Sequence, residues 1–204
     1  VNLDGIKPGE LKITGPVMAE VFMGNIARWN DPKLVALNPG KPLPDQPITI
    51  VHRADGSGTT FNWTDYLATV SPEWLARVGR GAAVKWPAAT SVGGKGNEGV
   101  AANVNRIKGS IGYVEYAYVK KNNMVFLQLQ NKSGRYVSPD DITFAAAADG
   151  WRMSLALPMA LGRVGPLLAP WATAVVACCS GRCREALTRR LLADASEAAE
   201  RAVV

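Results

Sequence analysis

The residues best suited to chemistry form one short run, residues 53–60, with the sequence Arg-Ala-Asp-Gly-Ser-Gly-Thr-Thr. An arginine guanidinium presents a planar fork that matches two oxygens of a tetrahedral anion. Ser57 and Thr59 add hydroxyl donors. Gly56 and Gly58 allow the backbone to turn sharply and a ligand to approach the backbone amides closely. The run therefore predicts a binding site for an oxyanion.

The segments on either side of this run predict a strand that ends in it and a helix that begins in it. Residues 47–53 are apolar and β-branched, which is typical of a strand, and Arg53 lies at the carboxyl end. Phe61 and later apolar residues recur at roughly helical spacing, so the helix begins near Thr59 or Thr60. The first turn of a helix has unpaired N–H groups and a partial positive charge, which favour an anion at the same place.

The same run also has a purely structural interpretation, which the residues alone leave open. Ser57 would cap the helix, the glycines would form an ordinary turn, and Arg53 would only pair with Asp55. The one histidine of the chain, His52, precedes Arg53 on the strand, so its side chain points to the other face. It is poorly placed to activate Ser57.

Length and composition indicate a globular protein and argue against nucleic-acid binding. The 204 residues are 48% hydrophobic, enough for one large domain or two small ones. The formal net charge is +6, but the basic residues are scattered, without a Lys/Arg run or interleaved aromatic residues. Because the chain opens without Met or a signal-like segment, we expect Val1 to be an internal or processed start.

The composition changes about three quarters of the way along the chain. All ten Lys lie in residues 1–150, whereas residues 151–204 have no Lys, seven Arg and all three Cys. Residues 153–179 are apolar but are interrupted by Arg163 and three prolines, which argues against a membrane span. Residues 185–202 could form a short amphipathic helix. The joint shift predicts a different origin for the tail.

Residues 1–150 predict alternating helices and strands. Besides the elements around the run, helices are predicted over residues 16–27 and from Asp31, Ser71 and Val100, and a strand over residues 109–118. This alternation predicts an α/β fold with ligand sites at the carboxyl ends of strands.

Other candidate motifs predict structure rather than chemistry. Residues 93–99 are rich in glycine and include Lys95, but a nucleotide-binding loop needs Gly-Lys-Ser/Thr, so we expect a structural loop. In the strand predicted at residues 109–118, Tyr113 and Glu115 share a face, and the aromatic residues are expected to pack. The cysteines, Cys178, Cys179 and Cys183, lack a paired Cys-x-x-Cys or a nearby His. No metal site and no cofactor are predicted.

Five segments, in this order, resemble the substrate-binding protein of the bacterial phosphate ABC transporter. They are residues 22–32, 53–60, 85–87, 93–99 and 111–118. The resemblance covers about residues 1–150. It implies an α/β, periplasmic-binding-protein-like (type II) fold in which phosphate is held between two lobes, and this chain would supply most of the second lobe, which is therefore incomplete.

The resemblance also implies a role for each residue of the run. Arg53, Ser57, Gly58 and Thr59 would bind phosphate, and Asp55 would be the salt-link partner of the arginine. All five residue types are intact. The family's first lobe, with further donors and the carboxylate that accepts the phosphate proton, is expected to be absent before the start of this chain.

The resemblance ends where the composition changes. Residues 151–204 stand in place of the segment that completes the second lobe in the family, and a frameshift or a mis-joined gene fragment would explain both the lost similarity and the altered composition. We therefore expect residues 1–150 to be a phosphate-binding lobe and residues 151–204 to be an unrelated tail rich in Arg, Ala and Leu.

Two classes of function compete for this sequence. The resemblance implies a non-catalytic protein of the periplasm or cell surface that binds inorganic phosphate and delivers it to the membrane permease of an ABC importer. The alternative is a phosphoryl- or acyl-transfer enzyme with Ser57 as nucleophile. A nucleophile needs a nearby base, and Asp55 and Thr59 stand where the Gly-x-Ser-x-Gly elbow has glycines. Binding is therefore favoured, with no catalytic residue.

Overall fold

Strands and helices alternate along the part of the chain that the computed structural model describes, residues 1–140 and 142–145. In chain order they are β1 (Lys12–Ile13), α1 (Gly15–Met23), α2 (Pro32–Leu37), β2 (Thr49–Arg53), α3 (Gly58–Val70), α4 (Pro72–Arg77), β3 (Ser91–Gly94), α5 (Gly96–Arg106), β4 (Ser110–Gly112), α6 (Tyr116–Lys121), β5 (Gln128–Gln130) and β6 (Tyr136–Val137). The predicted α/β class is confirmed.

Three parallel strands form the sheet that carries the predicted site. Strand β2 lies in the centre, between β3 and β4. Arg53 pairs with Gly94 of β3, and Val51 pairs with Gly112 of β4. Because all three strands run in the same direction, their carboxyl ends meet at one edge of the sheet, where α/β folds bind ligands. We call this edge the carboxyl edge.

In a second sheet, of order β1-β5-β6, strand β1 is hydrogen-bonded to the end of α2 through one buried side chain. Strand β1 runs parallel to β5, and β6 runs antiparallel to β5. The Asn38 side chain, at the end of α2, accepts a hydrogen bond from the Lys12 N–H at 2.7 Å and donates to the carbonyls of Lys12 and Leu34, both at 2.9 Å. The amide thus completes the edge of β1.

The helix starts predicted at Asp31 and Ser71 are confirmed. Asp31 caps α2 and Ser71 caps α4, each followed by a proline in the first turn. The helix predicted over residues 16–27 is shorter, because Gly24 adopts a left-handed φ of +79° and its N–H closes the last turn. Helix α5 begins at Gly96, earlier than predicted.

The strand predicted over residues 109–118 is wrong beyond its first half. Strand β4 ends at Gly112, which pairs with Val51 and is the last residue of β4 that pairs with β2. Residues 113–115 are irregular, and Tyr116–Lys121 form the helix α6. The alternation of faces expected for Tyr113 and Glu115 therefore does not apply.

Aromatic side chains from distant segments pack together in and against the hydrophobic core. Phe22 lies 5.1 Å from Trp63 between ring centroids, Trp63 stacks on Tyr113 at 5.7 Å, and Trp86 lies 5.7 Å from Tyr113 and 5.9 Å from Trp74. We call these five residues the aromatic cluster. Rings at such separations pack favourably, and here they join α1, α3, α4 and the segment after β4.

The features predicted for the tail lie outside the described residues. This applies to the amphipathic helix at residues 185–202, the interrupted apolar stretch at residues 153–179 and the three cysteines. Within residues 1–140 and 142–145, no helix is both long and apolar enough to cross a bilayer.

Gly94 lies where β3 and α5 approach each other most closely, and its substitution should destabilise the fold. A Cβ at this position would lie 2.5 Å from Gly99 C and Val100 N, which are backbone atoms that cannot rotate away. We expect Gly94→Ala to lower the free energy of unfolding by about 1–3 kcal/mol, as overpacking does. Urea unfolding followed by circular dichroism measures this.

Gly56→Ala is the matched control for this substitution. A Cβ at Gly56 would meet no atom within 4 Å, and the expected change in unfolding free energy is below about 0.5 kcal/mol. Equal unfolding midpoints for the two variants would contradict the close approach of β3 and α5.

Candidate functional site

Three segments meet at the carboxyl edge, each following one strand of the central sheet. They are residues 54–60 after β2, residues 95–96 after β3 and residues 113–115 after β4. The first holds the run that predicts an oxyanion site, and the other two contribute contacts that support it.

Arg53 and Asp55 form a two-point ion pair at the end of β2. Arg53 Nε donates to Asp55 Oδ1 at 2.8 Å, and Nη2 donates to Oδ2 at 2.6 Å. The Arg53 side chain is only 11% exposed. A guanidinium has five N–H donors and the carboxylate takes two. Among the described residues, no side chain or carbonyl accepts from Nη1, so this edge of the guanidinium can donate to a ligand.

The Asp55 carboxylate is held in its charged form first by Arg53 and then by the segment after β3. The Arg53 hydrogen bonds lower the pKa of Asp55 well below its usual range, and the Gly96 N–H, which donates to Oδ1 at 3.1 Å, lowers it further. Residues 93–99 were expected to be structural only. Their backbone fixes the carboxylate that orients the arginine.

Ser57 caps the helix that begins at Gly58. The Ser57 Oγ accepts from the N–H of Thr59 at 3.1 Å and of Thr60 at 3.3 Å. Its own hydroxyl proton is left to donate. The Gly58 N–H precedes the helical hydrogen bonds and donates to no group in the described part of the chain. The predicted helix start is confirmed to within two residues.

The two glycines of the run do not serve the sharp turn that the sequence suggested. Neither Gly56 nor Gly58 has a positive φ, so any residue could adopt their backbone conformation. A Cβ on either would meet no atom within 4 Å. What the glycines provide is open space in front of the first turn of α3, which fits the close approach of a ligand to the amides.

Thr59 and Glu115 form a contact that sequence reasoning missed. Thr59 Oγ1 donates to Glu115 Oε1 at 3.3 Å, which is long for a hydrogen bond between oxygens. The pKa of Arg53 is raised, first by its hydrogen bond to Asp55 and to a lesser degree by the Glu115 charge. Glu115 and Tyr113 were predicted to share one face of a strand, but no local sequence pattern linked either residue to the run.

Tyr113 packs as predicted and also contacts the run. It is 7% exposed, within the aromatic cluster. Its hydroxyl accepts from the Arg53 N–H at 3.2 Å and lies 2.7 Å from Thr60 Oγ1. The His52 ring stacks on Trp86, with ring centroids 5.0 Å apart. The His52 Nδ1 lies 2.9 Å from the backbone carbonyl oxygen of Arg53.

The charge of Asp55 should make stability depend on pH in a defined direction. A carboxyl group whose pKa is lower in the folded chain stabilises the fold above its unfolded pKa, about 3.9. We expect the wild-type chain to be more stable than Asp55→Asn near neutral pH. The difference should shrink as the pH falls below about 4. Urea unfolding of both proteins across this range measures it.

In this comparison, the side-chain carbonyl of the Asp55→Asn variant can still accept from the Gly96 N–H and from Arg53 Nε. Its NH2 group replaces the oxygen that accepts from Arg53 Nη2, so the substitution removes the charge and one hydrogen bond. A stability difference that stayed constant down to pH 3, roughly one unit below the unfolded pKa, would contradict the role of the carboxylate.

Comparisons with known proteins agree with this fold. Residues 2–150 match the model of a PBP superfamily domain. Over 148 residues the chain is 57% identical to the phosphate-binding protein PstS of Xylella fastidiosa and to that of Pasteurella multocida, covering 72% of this chain and 40% and 42% of the two relatives. The chain thus spans less than half the length of these relatives.

A solved structure has a similar fold. It is a high-affinity periplasmic phosphate-binding protein bound with phosphate, which is 22% identical and superimposes with a TM-score of 0.54, covering 72% of this chain and 41% of that chain.

Proposed function

The chain belongs to the PBP superfamily, and we propose that it binds inorganic phosphate for delivery to an ABC-type phosphate importer. The observation that carries this proposal is the Arg53 guanidinium, which Asp55 holds at the end of β2, close in sequence to the first turn of α3. Relatives named for phosphate binding, 57% identical over 148 residues, support the choice of anion.

In this proposal the donors of the run bind the phosphate oxygens. Arg53 supplies the N–H groups that Asp55 leaves unused, and Ser57 supplies its hydroxyl group. Thr59 supplies a hydroxyl group that must first leave Glu115 Oε1. Gly58 and Thr59 lie in the first helical turn, where the amides and the helix dipole favour an anion. Asp55 does not touch the ligand and keeps the guanidinium oriented.

We propose binding without catalysis. An enzyme with Ser57 as nucleophile needs a base in hydrogen-bond reach. In the described part of the chain, the groups bonded to the Ser57 hydroxyl are backbone N–H groups, and His52 is stacked on Trp86. Within the same residues, His, Cys, Asp and Glu form no group of three that could hold a metal ion.

The domain assignment and the partner belong to the same proposal. Residues 1–150 supply the second of two phosphate-binding lobes, and residues 151–204 are an unrelated tail that supplies no ligand group. The partner is the membrane permease of the importer, and the site of action is the periplasm or cell surface. The resemblance of the sequence to the transporter's substrate-binding protein supports these assignments.

The chain itself should bind phosphate, but weakly. Gly56 and Gly58, beside the space left for the anion, are exposed, and a charged contact near solvent contributes far less than one in a closed site. We expect a dissociation constant in the high micromolar range or weaker, about −5 kcal/mol or less favourable. A phosphate titration followed by amide NMR shifts of Gly58 and Thr59, at constant ionic strength, measures it.

Arg53→Ala should abolish these shifts, and a chromogenic phosphate ester should show no turnover above background. Submicromolar binding by the monomeric chain would contradict the need for a second lobe. Turnover that is lost in Ser57→Ala would instead support the enzyme. Absence of any phosphate-specific shift would contradict the proposed function.

Gly58→Ala separates the ligand site from the helix cap. Gly58 is the first helical residue with an ordinary φ, so alanine should leave the fold as stable or stabilise it by about 0.4–1 kcal/mol. Its Cβ would point toward the N-terminal end of α3 and occupy the space left for the anion. We expect phosphate binding about tenfold weaker, roughly 1.4 kcal/mol. Thermal unfolding and the NMR titration report the two effects separately, and unchanged affinity would contradict contact with the amides.

A further inference from the structure

The backbone of Arg53 extends beyond the ladder that joins β2 to β4. The last pair of that ladder is Val51 with Gly112, two residues before Arg53. The Arg53 N–H therefore has no strand carbonyl on this side. It donates instead to the Tyr113 hydroxyl at 3.2 Å, so a side chain takes the place of the missing strand.

The same hydroxyl reaches the first turn of α3. Tyr113 Oη lies 2.7 Å from Thr60 Oγ1, and Thr60 is 1% exposed. A phenol has one proton to donate. Oη accepts from the Arg53 N–H and forms a second hydrogen bond with Thr60 Oγ1, in which either oxygen can be the donor. Burial raises the pKa of Tyr113 above its ordinary value, so the proton is retained at neutral pH.

The aromatic cluster fixes the position of this hydroxyl. The Tyr113 ring stacks on Trp63 with an interplanar angle of 17° and lies 5.7 Å from Trp86 and 6.3 Å from Phe22. A ring packed on three sides has little freedom to shift. Its oxygen is therefore a rigid point between the end of β2 and the start of α3.

We propose that Tyr113 is a positioning residue that sets the separation between the Arg53 guanidinium and the donors of the first turn of α3. This inference rests on the proposed function, since both groups must reach one tetrahedral anion at once. Tyr113 does not touch the ligand. It acts by holding the Arg53 backbone and the Thr60 side chain to one atom, because small errors in donor placement weaken binding strongly.

Tyr113→Phe tests the proposal by removing only the hydroxyl. In the full chain without phosphate, we expect the Arg53 amide to exchange its hydrogen at least about tenfold faster. With phosphate, we expect binding about tenfold weaker. Tyr116→Phe is the matched control: its ring packs on Phe126 and Phe144 and, among the described residues, makes no hydrogen bond or ring contact with the run. Both readouts should stay at the wild-type value.

A second variant covers the possibility that Tyr113→Phe folds poorly. Thr60→Val removes the other end of the hydrogen bond and keeps the shape of the side chain. It should weaken phosphate binding in the same direction. The double variant should bind no more weakly than the weaker single one, because both changes break the same link. Additive losses would overturn the proposal.

The outcomes separate this inference from the proposed function. If the wild type binds phosphate and Tyr113→Phe binds equally well with only lower stability, the positioning role is overturned and the function stands. Suppose instead that the wild type fails to bind phosphate, and that the Arg53 amide loses protection and the Arg53 Nε signal loses order in Tyr113→Phe but not in the wild type. The proposed function then fails and the positioning role stands. Identical Arg53 signals in both proteins overturn the positioning role.

Discussion

The parallel pairing of β2 with both β3 and β4 is the constraint on which the site depends. It brings the carboxyl ends of three strands to one edge, although Arg53 and Tyr113 are 60 residues apart in sequence. The glycines that let α5 pack closely on β3 place the Gly96 N–H against Asp55. Without this register the arginine would have a local partner but no fixed direction.

The structural interpretation of residues 53–60 is compatible with the function that we propose for them. Ser57 is a helix cap and Arg53 is paired with Asp55, as the structural interpretation requires. These contacts use only part of the available donors. The pair leaves one edge of the guanidinium without a described acceptor, and the cap leaves the Gly58 N–H in the open space before the helix. The geometry that stabilises the helix start therefore also leaves donors for the anion binding that we propose.

Short sequence patterns predicted those parts of the structure that contacts between neighbouring residues determine. The caps at Asp31 and Ser71 and the strand that ends at Arg53 follow from short patterns. Phe61 was counted among the apolar residues of α3, yet it is 47% exposed, since helical spacing does not say which face is covered. The roles of Tyr113 and Glu115 depend on strand pairing across more than 50 residues, which no local pattern encodes.

The separation of the three segments along the chain also has a consequence for how the site arises. Residues 53–60 can form a capped helix start early, because those contacts are local. The Arg53 N–H finds its acceptor only after β4 has docked beside β2, which closes a long loop at an entropic cost and is slow for non-local parallel pairings. A partly folded chain would thus carry these residues without their arrangement, and we expect the oriented arginine to be one of the last features to form.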